Sequence, residues 1–365
     1  MKILLDFKIF SQQKYGGPSR YFFNLFEKLN MINNDAYVLS PLYCNNYLSK
    51  SNFKKNIFGI YLPQIKYLNY YTNIINKNFS FRSISKIKPQ ILHTTDYFYA
   101  KSDSFRPLVV TVHDLIHEIF HYEFGKKKDY RPKKRILDLA SHIISVSNNT
   151  KKDLINIYKI NPEKISVIHH GNSFHKSNDF FTNEIDIDSN FFLYIGSRKR
   201  YKNFISLIKA FKKNKEIYNT HKIICVGGGN LLNSEIKKLK EENIDLKKII
   251  FYPSNDDNLL YNLYKKASAL IYPSLYEGFG MPIVEAMSLG CPVICSNTSS
   301  LPEVYGNAAL TFCPSSENEL SKKMEEITFD SACREKIINL GFNQSKNFSW
   351  EKCAKETLSV YKKII

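Results

Sequence analysis

The sequence predicts an α/β protein made of two doubly wound, parallel-sheet domains. Short β-rich runs alternate with helical patterns along nearly the whole chain, as they do where parallel strands are covered by helices on both faces. One polar, aperiodic stretch, residues 173–190, breaks the alternation and reads as a linker. At 365 residues the chain is long enough for two cores of ordinary size. The expected division is 1–172, a linker over 173–190, a second domain over 191–348, and a terminal helix over 349–363 able to pack back on the first domain.

The opening run Met1-Lys2-Ile3-Leu4-Leu5-Asp6 turns acidic too soon for a secretory signal and reads as a first strand over 2–7. Tyr15-Gly16-Gly17-Pro18-Ser19-Arg20 follows and opens a helix over 19–30, with Ser19 the expected cap. Paired glycines there let the backbone approach a ligand, although the stretch is equally an ordinary β-to-α turn. It lacks the Gly-x-Gly-x-x-Gly dinucleotide spacing. Strands over 91–95, 108–112, 143–146 and 165–168, with a helix over 148–158, complete the first series. The second series has strands over 191–195, 222–226, 249–252, 269–272, 292–295 and 309–312, with helices over 204–213 and 258–266. No run is long and apolar enough to predict a membrane-spanning helix. The seven cysteines include no Cys-x-x-Cys pair and read as buried thiols in a reducing cytoplasm.

Charge is lopsided. Residues 1–172 hold 26 Lys+Arg against 12 Asp+Glu, so most of the net +18 lies in the first domain. Between Asp35 and Asp96 there is no acidic residue, while Lys50, Lys54, Lys55, Lys66, Lys77, Arg82, Lys86 and Lys88 stand among Tyr, Phe and Ile. A second basic cluster runs Lys126-Lys127-Lys128, Arg131, Lys133, Lys134, Arg135. Such patches fit a solvated face, an anionic membrane leaflet or a nucleic acid. No helix-turn-helix, zinc-finger or RNP signature supports nucleic acid, which is not an expected partner.

The chemistry-bearing residues fall where strands end, the side of a parallel sheet on which ligands gather. Val109-Val110-Thr111-Val112-His113-Asp114 ends a strand in two polar groups. A neutral His113 there suits a sugar hydroxyl or a reacting oxygen, or else a bond within the core. Asp114 suits a cap or a hydroxyl. In the second domain Ser197 is followed by Arg198, Lys199, Arg200 and Lys202 just before a helix. These cations can neutralise a diphosphate or form a solvated loop. Lys202, against the helix start, is the favoured member. Val226-Gly227-Gly228-Gly229-Asn230 is another strand-to-turn, suited to a close ligand approach or a plain tight turn.

The richest stretch is Glu277-Gly278-Phe279-Gly280-Met281-Pro282-Ile283-Val284-Glu285. A strand–loop–helix unit of this kind offers backbone N–H groups and a helix N-terminus to an anion. Two carboxylates flank that position and can accept from hydroxyls. A phosphate site beside a hydroxyl site suggests a nucleotide sugar. The glycosidase reading needs two carboxyls roughly 5–9.5 Å apart, and an eight-residue helical step spans about 12 Å. Hydroxyl anchoring is therefore preferred to acid/base work. Asp186-Ile187-Asp188 falls in the linker and reads as solvated, and no metal is expected.

Taken together, these motifs resemble the retaining glycosyltransferases of group 1, the GT-B family marked by Glu-(seven residues)-Glu. The likeness runs from Gly16-Gly17-Pro18-Ser19-Arg20 and Thr111-Val112-His113-Asp114-Leu115 through Val167-Ile168-His169-His170-Gly171-Asn172 and the Lys202 loop to the Glu277–Glu285 stretch and Gly290-Cys291-Pro292-Val293. The resemblance implies two Rossmann-like domains facing across a cleft, with the donor held mainly by the second. Glu277 would contact the donor sugar hydroxyls, and Gly278, Phe279 and Gly280 the sugar and phosphate. Glu285 would bind the ribose and Lys202 the diphosphate. His113 would stand near the transferred sugar, with Arg20 and Asp114 toward the acceptor or that sugar, and Gly17 and Ser197 would join the donor contacts. Family members commonly carry Arg-Lys-Asn where this chain has Tyr201-Lys202-Asn203, so Arg198 or Arg200 takes the displaced arginine's place.

The implied reaction is metal-free transfer of a hexose with retained configuration, without an enzyme nucleophile. GDP-mannose is the first donor expected and dTDP-rhamnose the second. The implied acceptor is a lipid-linked oligosaccharide of bacterial surface polysaccharide, O-antigen or capsule, met by a peripheral enzyme on the cytoplasmic leaflet. A sugar-nucleotide epimerase, a phosphorylase and a non-catalytic membrane-bound binding protein are the alternatives. Release of nucleoside diphosphate without metal separates the transferase from the last of these.

Overall fold

The computed structural model describes residues 1–32, 35–63, 69–97, 107–124, 130–174, 190–252 and 256–365. Most of the expected linker (175–189), with His175, Asp186 and Asp188, lies outside the described residues, as do Lys66 and Lys126 to Lys128. The same holds for the Arg82 side chain. The chain divides into two compact units, Met1–Gly171 with Ser349–Ile365, and Asn172–Phe348.

The first unit holds seven parallel strands: β1 (Lys2–Leu5), β2 (Asp35–Tyr43), β3 (Ile57–Tyr61), β4 (Ile91–Thr94), β5 (Leu108–Val112), β6 (His142–Ser145) and β7 (Ile165–Val167). They lie in the order β3-β2-β1-β4-β5-β6-β7. The central strands are apolar on successive residues because helices cover both faces. The helix Gly17–Met31 buries Tyr21, Phe22, Leu25, Phe26 and Leu29, a stripe at helical spacing. The terminal helix Trp350–Lys363 adds Trp350, Cys353, Val360 and Tyr361 to the same core. Its Ser349 cap accepts from the Lys352 amide at 3.1 Å. At the other helix Ser19 is not the cap: Gly16 takes that position, and Ser19, buried one turn in, donates its hydroxyl back to the Gly16 carbonyl at 3.1 Å. The two strands β2 and β3 have no counterpart among those the sequence predicts.

The second unit holds β8 (Phe191–Ile195), β9 (Lys222–Val226), β10 (Ile249–Tyr252), β11 (Ala269–Tyr272), β12 (Val293–Ser296) and β13 (Leu310–Phe312). All pair in parallel, in the order β10-β9-β8-β11-β12-β13. Both sheets are doubly wound. Their order reverses between β1 and β4 and between β8 and β11, the two places where such sheets open a crevice at the strand carboxyl ends. Five cysteines are buried, two are half-buried, and all seven are free thiols. No helix of the described residues is long and apolar enough to cross a membrane.

Candidate functional site

The loops that leave β8 and β11 meet at the reversal of the second sheet. The Leu275 amide donates to the Tyr201 carbonyl at 2.7 Å, fastening one loop to the other. Lys202 from the first loop and Glu277 from the second then face each other, Nζ to Oε1, at 2.6 Å. The distance is that of a short charge-assisted bond. Both side chains are nearly buried, 13% and 8% exposed, so water screens the pair little. Burial opposes the charge on Lys202, but the Glu277 carboxylate, with Tyr272 and Tyr201, outweighs it and holds the ammonium well above its ordinary range. The Tyr272 hydroxyl lies 3.3 Å from Nζ, and its ring centroid 5.2 Å away.

Glu277 is fixed on every side. Ser274 Oγ donates to Oε1 at 2.5 Å, and the Glu277 amide donates to Ser299 Oγ at 2.9 Å. Ser300 Oγ donates to the carbonyls of Glu277 and Phe279 at 2.9 and 3.0 Å, pinning the glycine loop. Gly280 closes that loop at φ 111 and begins the helix Met281–Ser288. A Cβ there would be strained by the backbone and would also lie 3.0 Å from the Leu301 methyl. The helix points its N-terminus out of the loop, which favours an anion. Glu285 is buried on this helix and accepts from the Tyr264 hydroxyl at 2.9 Å.

Arg198 is occupied elsewhere. It pairs with Glu235 at 2.9 Å and donates to the carbonyls of Gly227, Gly228, Gly229 and Asn230. Gly227, Gly228 and Gly229 all take positive φ, which turns these carbonyls onto the guanidinium. The Gly-Gly-Gly run therefore builds a clamp around Arg198, the tight-turn reading of that motif. Arg200 in the same loop is exposed. Ser197 accepts at its carbonyl from the Tyr194 hydroxyl, 2.7 Å away. Among the described residues no cluster of three His, Cys, Asp or Glu is arranged to hold a metal ion.

The remaining predicted residues sit together in the first unit. His113 follows β5 and lies edge-on to Tyr21 and Phe22 of the Gly17–Met31 helix, centroids 5.1 and 5.8 Å away. Both its ring nitrogens are buried with no hydrogen-bond partner among the described residues. That is costly unless a ligand group completes them. Asp114 stands one residue before the Leu115 cap position and accepts from the Ile116 amide at 3.0 Å. Arg20 is buried and bonds the Tyr47 hydroxyl at 3.0 and 3.1 Å. Gly17 opens the helix Gly17–Met31, whose first turn is met by Gln13 Oε1 accepting from the Ser19 amide at 3.3 Å. Lys133, placed in a surface cluster by sequence, is instead buried and paired with Glu118 at 2.8 Å. A buried ammonium needs such a carboxylate.

His113 belongs to a nest of neutral imidazoles. Burial, and then Lys133, push it down to about 3, and burial with His113 does the same to His93. Burial also lowers His170, whose ring lies 5.4 Å from His113. Lowered folded values mean that the unfolded chain takes up protons first as pH falls below the ordinary histidine value. Stability should therefore be complete above about pH 6.5 and fall toward pH 3, by about 1.4 kcal/mol per pH unit for each histidine. Asp6, raised by burial, opposes this only in the acid part of the range. Urea melts between pH 7.5 and 5 will show the loss, and a His93→Gln variant should flatten the slope.

Serines 274, 299 and 300 with Tyr264 and Tyr272 complete the site without having been singled out by sequence. The signal for Ser299 and Ser300 is their place just after β12, a third strand end at the same edge.

Comparison with known proteins agrees with this fold. The model of the glycosyl transferases group 1 family matches residues 175–344, and that of glycosyltransferase family 4 matches residues 15–172. The O-antigen chain mannosyltransferase B of Escherichia coli is 30% identical over 294 residues, 73% of this chain and 74% of that protein. The O-antigen chain mannosyltransferase RfbU of Salmonella typhimurium is 33% identical over 225 residues, 61% of each chain. Among solved structures, sucrose-phosphate synthase of Thermosynechococcus elongatus superposes with a TM-score of 0.78 at 19% identity, covering 100% of this chain and 99% of that one. WaaG, a glycosyltransferase involved in lipopolysaccharide biosynthesis, gives 0.72 at 14% identity over 98% and 99%. Two doubly wound units, the Glu277–Glu285 stretch on the second and relatives aligned over most of both chains lead to one assignment: this chain is a GT-B glycosyltransferase and belongs to the glycosyltransferase group 1 family.

Proposed function

We propose that the chain transfers mannose from GDP-mannose to a lipid-linked oligosaccharide during assembly of a bacterial surface polysaccharide such as O-antigen. It does so with retained configuration, without a metal, as a peripheral protein on the cytoplasmic leaflet. The observation that carries this reading is the Lys202–Glu277 contact at the sheet reversal beside the Gly280 helix start. A nucleotide sugar needs a cation and amides for its diphosphate and acceptors for its hydroxyls, all within the length of one small molecule. Mannose is favoured by the names of the aligned relatives.

In this mechanism the bond from the anomeric carbon to the diphosphate oxygen breaks as the acceptor hydroxyl attacks from the same face, and the hydroxyl proton passes to the departing diphosphate oxygen. Lys202 and the helix amides stabilise the negative charge that grows on the leaving oxygen, a kind of contribution worth about 10²–10³ in rate. Glu277 accepts from the sugar hydroxyls and keeps Lys202 charged. Glu285 accepts from the ribose. His113, neutral at physiological pH, serves a hydroxyl of the transferred sugar.

Arg200 is the arginine assigned to the diphosphate, because Arg198 is committed to its turn. Arg200→Ala should raise the donor KM roughly tenfold with little change in melting temperature. Arg198→Ala should instead destabilise the protein by about 3 kcal/mol, since Glu235 loses its buried partner. Donor titrations and thermal melts of the two variants separate the roles.

The decisive assay incubates purified protein with a lipid-linked acceptor and a panel of GDP-mannose, dTDP-rhamnose and UDP-sugars, with and without EDTA. Transfer of α-linked mannose from GDP-mannose, insensitive to EDTA, is expected. Inversion, a strict metal requirement or a preference for another donor would overturn the corresponding part of the reading.

A further inference from the structure

Among the described side chains of the helix Asn69–Ile87, the buried positions are Asn76, Ser80 and Ile84, two of them polar, and Asn76 is wholly enclosed. The Asn76 side chain accepts from the Leu42 amide at 2.7 Å and donates to the Leu42 carbonyl at 2.9 Å, pairing with β2 as a strand would. That polar attachment leaves the opposite arc outward. Tyr70, Tyr71, Ile74, Ile75 and Phe79 share that arc at helical spacing, and Tyr70 and Phe79 are 71% and 62% exposed. Scattered exposed apolar residues are ordinary, but a contiguous stripe on one helix marks an interaction surface.

The edge strand β3 extends the same character. Phe58 stacks on Tyr37, which packs in one cluster with Ile84 and Ile87 of the helix. Phe58 and Ile60, two residues apart, therefore open on the sheet face that the helix covers. Ile60 is 70% exposed. The exposed charges of this stretch of chain are basic. Lys54, Lys55, Lys77, Lys86 and Lys88 are exposed, and no acidic residue occurs between Asp35 and Asp96.

We propose that this face docks on an anionic lipid leaflet, with Ile74, Ile75 and Phe79 inserted among the acyl chains and the lysines on the headgroups. The charge decides the occupant: exposed apolar side chains flanked by lysines, on a stretch of chain without an acidic residue, complement acidic lipid. A second copy of the chain would bring the same positive rim against itself. The proposal rests on the peripheral-membrane reading above and names the element that achieves it.

The test uses the full-length protein and vesicles of phosphatidylglycerol with phosphatidylethanolamine, at low and high salt. Wild type should bind strongly at low salt and keep part of its binding at high salt, where the electrostatic share is screened. An Ile74→Ser, Ile75→Ser, Phe79→Ser variant should lose the salt-resistant part, about tenfold or more in partition. It should keep wild-type melting and wild-type release of GDP from GDP-mannose, which confirms that fold and site are intact. A Lys77→Gln, Lys86→Gln, Lys88→Gln variant should lose the salt-sensitive part. Equal vesicle binding by wild type and the serine variant would overturn the proposal while leaving the membrane reading standing. A serine variant that turns a dimeric wild type into a monomer, with vesicle binding unchanged, would also overturn it and make the face a subunit interface. No binding of wild type to any vesicle would remove the membrane reading itself, with GDP release still reporting on the transferase.

Discussion

Glu277→Gln is expected to lower turnover by at least about a hundredfold while the protein stays folded. Glutamine keeps the volume and can still accept from Ser274, but it cannot balance the Lys202 ammonium 2.6 Å away. The loss should fall on kcat as well as kcat/KM, because an anchor for the sugar hydroxyls and a charge that tunes the leaving-group cation are both weakened. Alanine is the poorer probe. It would leave the nearly buried Lys202 ammonium with neither a carboxylate nor the amide acceptor and volume that glutamine keeps, at a cost of about 3–5 kcal/mol, and would confuse misfolding with lost catalysis. Steady-state kinetics with a thermal melt of the glutamine variant check the prediction. Near-normal turnover would remove Glu277 from the mechanism.

Lys202→Met should be comparably severe, roughly 10²–10³ in turnover, with a weakened donor affinity besides. Methionine keeps about the length of the side chain and removes the ammonium, which lies 5.6 and 5.2 Å from the Tyr201 and Tyr272 ring centroids. Lys202→Arg should not restore the rate, since a planar fork cannot sit in a place shaped for one compact ammonium between Glu277 and Tyr272. Because the two residues touch, their effects should not add. The double variant Glu277→Gln, Lys202→Met should be little worse than the poorer single one. Additive losses would mean that the two groups act independently.

The sheet architecture was legible where strands are buried on both faces. β5, β8, β9 and β11 have the predicted bounds, because central parallel strands are continuous apolar runs between turn signals, and the edge strand β10 has them too. β2 and β3 were not legible. Pro41 and a register shift between Leu39 and Leu42 break the pattern of β2, and β3 is an edge strand with four of five residues exposed. Their Lys-rich, acid-free setting reads as surface composition and hides pairing that only the sheet can specify. Ser19 misled for a local reason. Serine before an apolar run looks like a cap, but Pro18 is already helical and moves the boundary back to Gly16.

At the candidate site the sequence supplied the charged groups and the glycines, whose spacing in one stretch carries chemistry. It did not supply the supports. Ser299, Tyr264 and Tyr272 act through contacts with residues distant in the chain, Ser274 through its own loop, and nothing in their local sequence distinguishes them from other serines and tyrosines. Arg198 shows the reverse difficulty. Its neighbours in the chain suggest a phosphate ligand, whereas its contacts come from a glycine turn about thirty residues later.

Calorimetric titration of GDP-mannose into wild type, Glu277→Gln and Lys202→Met tests the donor site most directly. Roughly micromolar to millimolar binding to wild type is expected. It should weaken about tenfold or more in each variant. Equal affinity in all three proteins would contradict the assignment of Lys202 and Glu277 to the nucleotide sugar.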